Sequence, residues 1–123
     1  MGKSVHPDVL DGALGVIRNN ATKMVALNGA PASFSAANSG ALAGVTMAPS
    51  DFTLAAGSTS GRKLTVAAKA DVPVTAAGNA DHVALLDISN SKLLYVTTCA
   101  AQALASSGTV SLSSWAIEIA DPA

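Results

Sequence analysis

Two short segments contain the residues that could carry covalent chemistry. The first is the loop Gly57-Ser58-Thr59-Ser60-Gly61, followed by Arg62-Lys63. Ser60-Gly61-Arg62-Lys63 has the Ser-x-x-Lys spacing, in which a lysine or a separate glutamate activates the serine. The companion motifs Ser-Asp-Asn and Lys-Thr-Gly are absent. The same loop reads Gly-x-x-x-Gly-Arg-Lys, one residue short of a phosphate-binding P-loop and with Arg where Gly should precede Lys. A strand pattern follows it, where a P-loop needs a helix. The expected structure is a Gly/Ser turn with a basic exit.

The second segment holds Asp81-His82 and Asp87, which could act as acid–base partners for a Ser or Thr. No Gly-x-Ser-x-Gly elbow accompanies them. Asp81 is expected to start a strand, and His82 to sit on a strand face bonded to a backbone carbonyl. Cys99 is the single cysteine, so no intrachain disulfide forms,. It lies in an apolar stretch and reads as a buried small hydrophobe. His6 and His82 have no cysteine or acidic cluster at metal-ligand spacing. The expectation is therefore no enzyme, no metal and no cofactor.

Composition narrows the partners. Only 12% of the 123 residues are charged and the net charge is -1, against about 25% charged in ordinary soluble domains. The chain is 50% hydrophobic but only 3% aromatic, because alanine supplies much of the apolar content. Nucleic acid is excluded, since Lys3, Arg18, Lys23, Arg62, Lys63, Lys69 and Lys92 are scattered and not clustered. A membrane is excluded as a partner, because no apolar run approaches the ~18–20 residues of a spanning helix. Met1-Gly2-Lys3-Ser4 has no apolar stretch behind it, so no secretory leader is expected. Asn20-Ala21-Thr22 matches the glycosylation sequon, but without a leader it carries little weight.

Positioning these residues falls to one helix and a series of strands. The expectation is one β domain over residues 1–123. Residues 6–20 read as a helix: Pro7 suits the first helical position, Asp8 the positive end of the dipole and Arg18 the negative end. Leu10, Ala13, Leu14 and Ile17 form its stripe, which packs on the chain's own sheet or on a neighbouring subunit. Residues 28–40 read as a long irregular connection pinned by Phe34. From residue 41 onward strands recur about every ten residues, the spacing of a β-sandwich or barrel, jelly-roll-like. Leu64, Val66 and Ala68 alternate inward on one of them. Pro73 marks an edge or a bulge. Gly78-Asn79 and Ser89-Asn90-Ser91 read as hairpin turns. In the last strand, residues 109–119, Val110 and Leu112 are apolar at even numbers and Trp115, Ile117 and Ile119 at odd ones. That phase slip predicts a β-bulge near Ser113-Ser114.

The segments Val5-His6-Pro7-Asp8-Val9-Leu10-Asp11, Gly61-Arg62-Lys63-Leu64-Thr65-Val66, His82-Val83-Ala84-Leu85-Leu86-Asp87, Leu93-Leu94-Tyr95-Val96-Thr97-Thr98-Cys99 and Trp115-Ala116-Ile117-Glu118-Ile119 together resemble small structural proteins of tailed-bacteriophage heads. The resemblance spans most of the chain and defines no active site. It implies a virion component, a capsid decoration or cement protein made in the host cytoplasm and carried on the capsid surface. The implied partners are the major capsid protein and further copies of the chain, as a homotrimer. Leu10, Leu14, Ile17, Phe34 and Trp115 are the candidate interface residues. The alternative is a host receptor or glycan-binding module on a head or tail fibre, which would expose Tyr95 or Trp115.

Overall fold

The structure is a computed structural model that describes residues 3–122. Helix α1 spans Pro7–Asn20. The His6 ring accepts a hydrogen bond from the Asp8 N–H at 3.1 Å, which caps the N-terminus,. Of its expected stripe, Leu10, Leu14 and Ile17 are buried within the chain itself, while Ala13 is exposed.

Among the described residues, nine strands follow. They are β1 (Lys23–Leu27), β2 (Ala43–Thr46), β3 (Phe52–Ala56), β4 (Arg62–Val66), β5 (Lys69–Pro73), β6 (Gly78–Asp87), β7 (Lys92–Leu104), β8 (Thr109–Leu112) and β9 (Trp115–Ile119). They form three antiparallel sheets, ordered β2-β1-β6-β7, β3-β4-β9 and β5-β8. The fold is mainly β and sandwich-like, with an N-terminal helix.

Sheet pleating explains the layers. Met24 and Ala26 face one side of β1, while Val25 and Leu27 face the other. The Met24 side meets Phe52, Leu64, Val66 and Ile117 of the second sheet, with Leu14 and Ile17 of α1 closing one end. Ala26 joins Val72, Val74, Leu104 and Val110 beside the third sheet. The Val25 side carries Leu27, Ala84 and Leu86 against Ala37. The central strands are thus buried on both faces, which is why Met24–Leu27 and Val83–Leu86 are unbroken apolar runs.

Ala37 belongs to an element that overturns the irregular connection expected over residues 28–40. Phe34–Gly40 forms a second helix, α2. Its sequence, Phe-Ser-Ala-Ala-Asn-Ser-Gly, has weak intrinsic helix propensity. Two tertiary features hold it. The Ser33 hydroxyl accepts from the Ala36 N–H at 3.1 Å. Phe34 and Ala37 pack on the outer face of the first sheet.

Three other local expectations are corrected. Gly78-Asn79 makes no hairpin; these residues open β6 and pair with Leu104 and Ala103. Glycine at position 78 lets the strand lie close to Leu42, whose side chain would have to shift by a few tenths of an ångström for a Cβ 3.2 Å away. Ala68 does not continue the inward row of Leu64 and Val66, because β4 ends at Val66 and Ala68 is exposed. The phase slip at Ser113-Ser114 is a change of sheet rather than a bulge. β8 pairs with β5 and β9 with β4, so each half keeps its own inward phase. The Ser114 hydroxyl donates to the Val66 carbonyl at 2.8 Å and fixes the crossing. The turn at Ser89-Asn90-Ser91 does join β6 to β7, with Ser91 at φ 55°. Pro73, read as an edge or a bulge, pairs in register with Thr109 on β5, an edge strand, and the register shift of that strand lies before it, between Lys69 and Val72.

Two ion pairs tie elements together. Arg62 Nε donates to Asp11 Oδ1 at 2.8 Å and fastens α1 to β4. Lys69 Nζ donates to Asp51 Oδ1 at 2.8 Å, while Asp51 Oδ2 accepts from the Ala48 N–H at 2.8 Å. The Lys69 hydrogen bond outweighs the opposing effect of burial and holds the Asp51 carboxyl below its ordinary value of 3.8, with the Ala48 N–H assisting. A carboxylate depressed by folding contributes stability that is present above the unfolded value and lost as pH falls through the folded one. Acid titration of stability should therefore drop below about pH 4. The drop should be shallower for Asp51→Asn in urea melts at stepped pH.

Candidate functional site

A partly enclosed cleft of about 430 Å³ lies between β7 and the β8–β9 crossing. Three strands put their sheet edges around it. β7 is the last strand of the first sheet, β9 of the second, and β8 is one of only two in the third. Thr97, Thr98 and Gln102 come from β7, and Ser111, Ser113 and Ser114 from the other wall. No charged side chain lines the cleft.

This neutrality runs beyond the cleft. The 25 residues from Leu93 to Ile117 contain no charged side chain and no histidine. Isolated proteins commonly protect an edge strand with lysine, proline or a bulge. Between Leu93 and Leu104, β7 has neither lysine nor proline. It keeps one device: its register shifts opposite Ala80–His82 and again opposite Leu85–Leu86. These shifts break the open edge into shorter stretches.

Tyr95 and Trp115 stack across the sheets at 5.8 Å between ring centroids and 28° between planes. Both are half-buried, and Trp115 also lines the cleft. The indole Nε1 is buried without a hydrogen-bond partner. An unpaired N–H of this kind costs about 1–3 kcal/mol.

The other candidate residues are dispersed. Leu10, Leu14 and Ile17 are taken up by the chain's own core, which answers the choice between sheet and neighbour for that stripe. Phe34 covers the outer face of the first sheet, half-exposed. Of the candidate interface residues, only Trp115 reaches the cleft.

The possible catalytic groups do not converge. Ser60 lies in the β3–β4 loop, where its hydroxyl accepts from the Asp121 N–H at 3.2 Å. Asp81 and His82 lie on β6, in another sheet. His82 Nδ1 stands 2.7 Å from Asp81 Oδ1, so a carboxylate holds the ring and not the expected backbone carbonyl. That bond, followed by the Gly29 N–H at 2.7 Å, lowers the Asp81 pKa. Asp81 thereby anchors the segment after β1. Asp87 is buried and accepts from the Asn90 backbone and side-chain amides, bracing the β6–β7 turn. Cys99 is exposed on β7, against the expectation that it is buried. Residues Cys99–Ala101 loop out where β7 shifts register opposite Asp81. Surrounding packing and the Asp81 charge raise the thiol pKa, the reverse of what activates a nucleophilic cysteine,.

Among the described residues, no three His, Cys, Asp or Glu side chains are grouped to hold a metal ion. No described helix is long and apolar enough to cross a membrane. No family model, curated protein or solved structure matches this chain. What the cleft can offer chemically is hydroxyl, amide and strand-edge hydrogen bonding beside a stacked aromatic pair.

Proposed function

We propose that this chain is a bacteriophage virion structural protein, a decoration or cement protein that binds and stabilises the lattice of the major capsid protein. The observation that carries the reading is the uncharged run from Leu93 to Ile117, which brings open strand edges of β7, β8 and β9 around one cleft. Such a surface suits a neighbouring protein better than bulk water. An extended arm can add main-chain hydrogen bonds to an open edge, with side chains seated alternately. Repetition over a symmetric lattice multiplies a modest contact into firm attachment. Serine, threonine and alanine side chains leave room for close approach without charge to desolvate.

The test compares capsids with and without the protein. Complete particles should release DNA at a higher temperature and resist higher pressure than stripped ones. Binding should be lost when Thr97→Lys and Ser113→Lys place charge in the cleft. Equal resistance of the two particles would end the cement reading.

The host receptor or glycan-binding alternative rests on Trp115, which lines the cleft beside hydroxyls and the Gln102 amide. It predicts a change in Trp115 fluorescence when a polysaccharide binds. A silent glycan array would remove it.

A further inference from the structure

We propose that α1 pairs antiparallel with α1 of a second copy of this chain, across a two-fold axis. This inference does not rest on the capsid reading. Helix α1 has an apolar face beyond the one it buries. Val9 is 62% exposed and Val16 is 52% exposed, two of the three large hydrophobics that the described chain leaves in solvent. Ala13 lies between them on the same face, also exposed. Beside this ridge runs an open groove of about 510 Å³, floored by Gly12 and Gly15 and bordered by Leu54 of β3. A ridge next to a glycine-floored groove is self-complementary. Turning one copy end over end brings the valine ridge of each helix to the groove of the other.

The glycines have no explanation within one chain. A Cβ on Gly12 would meet nothing within 4 Å, and one on Gly15 would only touch the Asn19 amide at 3.8 Å. Each glycine nevertheless weakens the helix relative to alanine. Close approach of a second backbone is what their absent side chains permit.

Charge sets the direction. The charged residues lining the groove are Asp8 and Asp11 at the N-terminal half and Arg18 at the C-terminal half. Asp11 is already held by Arg62. Arg18 makes only a 3.4 Å bond to the Asn19 side chain among the described residues. Asp8 stands 3.6 Å from His6 Nδ1. That nitrogen accepts the Asp8 N–H, so it carries no proton for the carboxylate. A parallel pair would set like charges side by side. An antiparallel pair brings Arg18 of one copy to the end that carries Asp8 of the other. The contact is isologous and gives a dimer, where the phage-head resemblance implies a trimer.

Sedimentation velocity on the full chain over a range of concentrations tests the pairing. The wild type should sediment as a dimer at high concentration and dissociate on dilution. Val16→Lys and Gly12→Leu should be monomeric at all concentrations, with unchanged circular dichroism and, for Gly12→Leu, a thermal midpoint at low concentration no lower than the wild type's. Gly12 faces open space, so its leucine obstructs only a partner. Arg18→Asp should weaken association about tenfold, and adding Asp8→Arg should restore it. A wild type that stays monomeric, a trimer, or a dimer indifferent to both Val16→Lys and Gly12→Leu would overturn the proposal. Capsid stabilisation is read separately, so either reading can fail alone.

Discussion

Leu85→Ala should lower the free energy of unfolding by about 3–5 kcal/mol. Leu85 is fully buried near the C-terminal end of β6. It is paired with Met24 on β1 and Tyr95 on β7, and it belongs to the cluster that joins both main sheets to α1. Strands on two sides hold the backbone, so the cavity cannot collapse and the lost contacts are not regained. The residual void adds to the lost transfer energy. Urea denaturation should show a lower midpoint at unchanged slope, since the surface exposed on unfolding is nearly the same. Because small domains are stable by only about 5–15 kcal/mol, the variant should be partly unfolded near body temperature. A loss below about 1 kcal/mol would mean that this cluster does not carry the fold.

Gly61→Ala should cost about 2–4 kcal/mol, far more than a loop substitution usually does. Gly61 stands at φ 69°, where a side chain is strained,. A Cβ there would also overlap the Ile119 carbonyl oxygen, so the β9 backbone must move. Its carbonyl accepts the Gly57 N–H at 2.9 Å and closes the β3–β4 hairpin. The next residue, Arg62, pairs with Ile119 and reaches Asp11. Strain at this one position therefore reaches the second sheet and the seat of α1. Thr59→Ala in the same loop, an exposed position, should change stability by less than about 0.5 kcal/mol. Thermal melts of the two variants side by side check the contrast.

These results bear on what can be read from residue order. The helix start at His6-Pro7-Asp8, the β6–β7 turn and most strands were legible because each depends on local chemistry: a ring-fixed φ, a short polar turn, a period of two. The place of the phase slip was legible too, although its cause was not. A slip in apolar phase looks the same whether a strand bulges or leaves one sheet for another. Helix α2 was illegible because its seven residues hold only two strong helix formers, Ala36 and Ala37, and carry no period of their own, and Phe34 and Ala37 are helical through the sheet beneath them,. Gly78-Asn79 misled because the same dipeptide serves a tight turn or a site of close packing, and only Leu42 distinguishes them. Cys99 misled because its apolar neighbours lie on an edge strand, where half the faces are open.

The candidate cleft was less legible still. Its two walls, residues 97–102 and 111–116, are near in sequence but belong to strands of different sheets, and none of its residues has unusual chemistry alone. The low charge of the chain was visible at once. Its concentration into one uncharged run, and the position of that run along open strand edges, needed the sheet order.

By itself, the sequence determined a mainly β chain with an N-terminal helix and a composition poor in charge. These follow from periodicity, cap residues and composition, which act over a few residues. Tertiary structure alone decided which strands share a sheet and which edges stay open. It also decided that the stripe of Leu10, Leu14 and Ile17, legible from its period, packs on the chain's own core, while Val9 and Val16 stay exposed. Those outcomes depend on contacts between residues remote in the chain. Their energies are set by what packs opposite, which no local pattern contains.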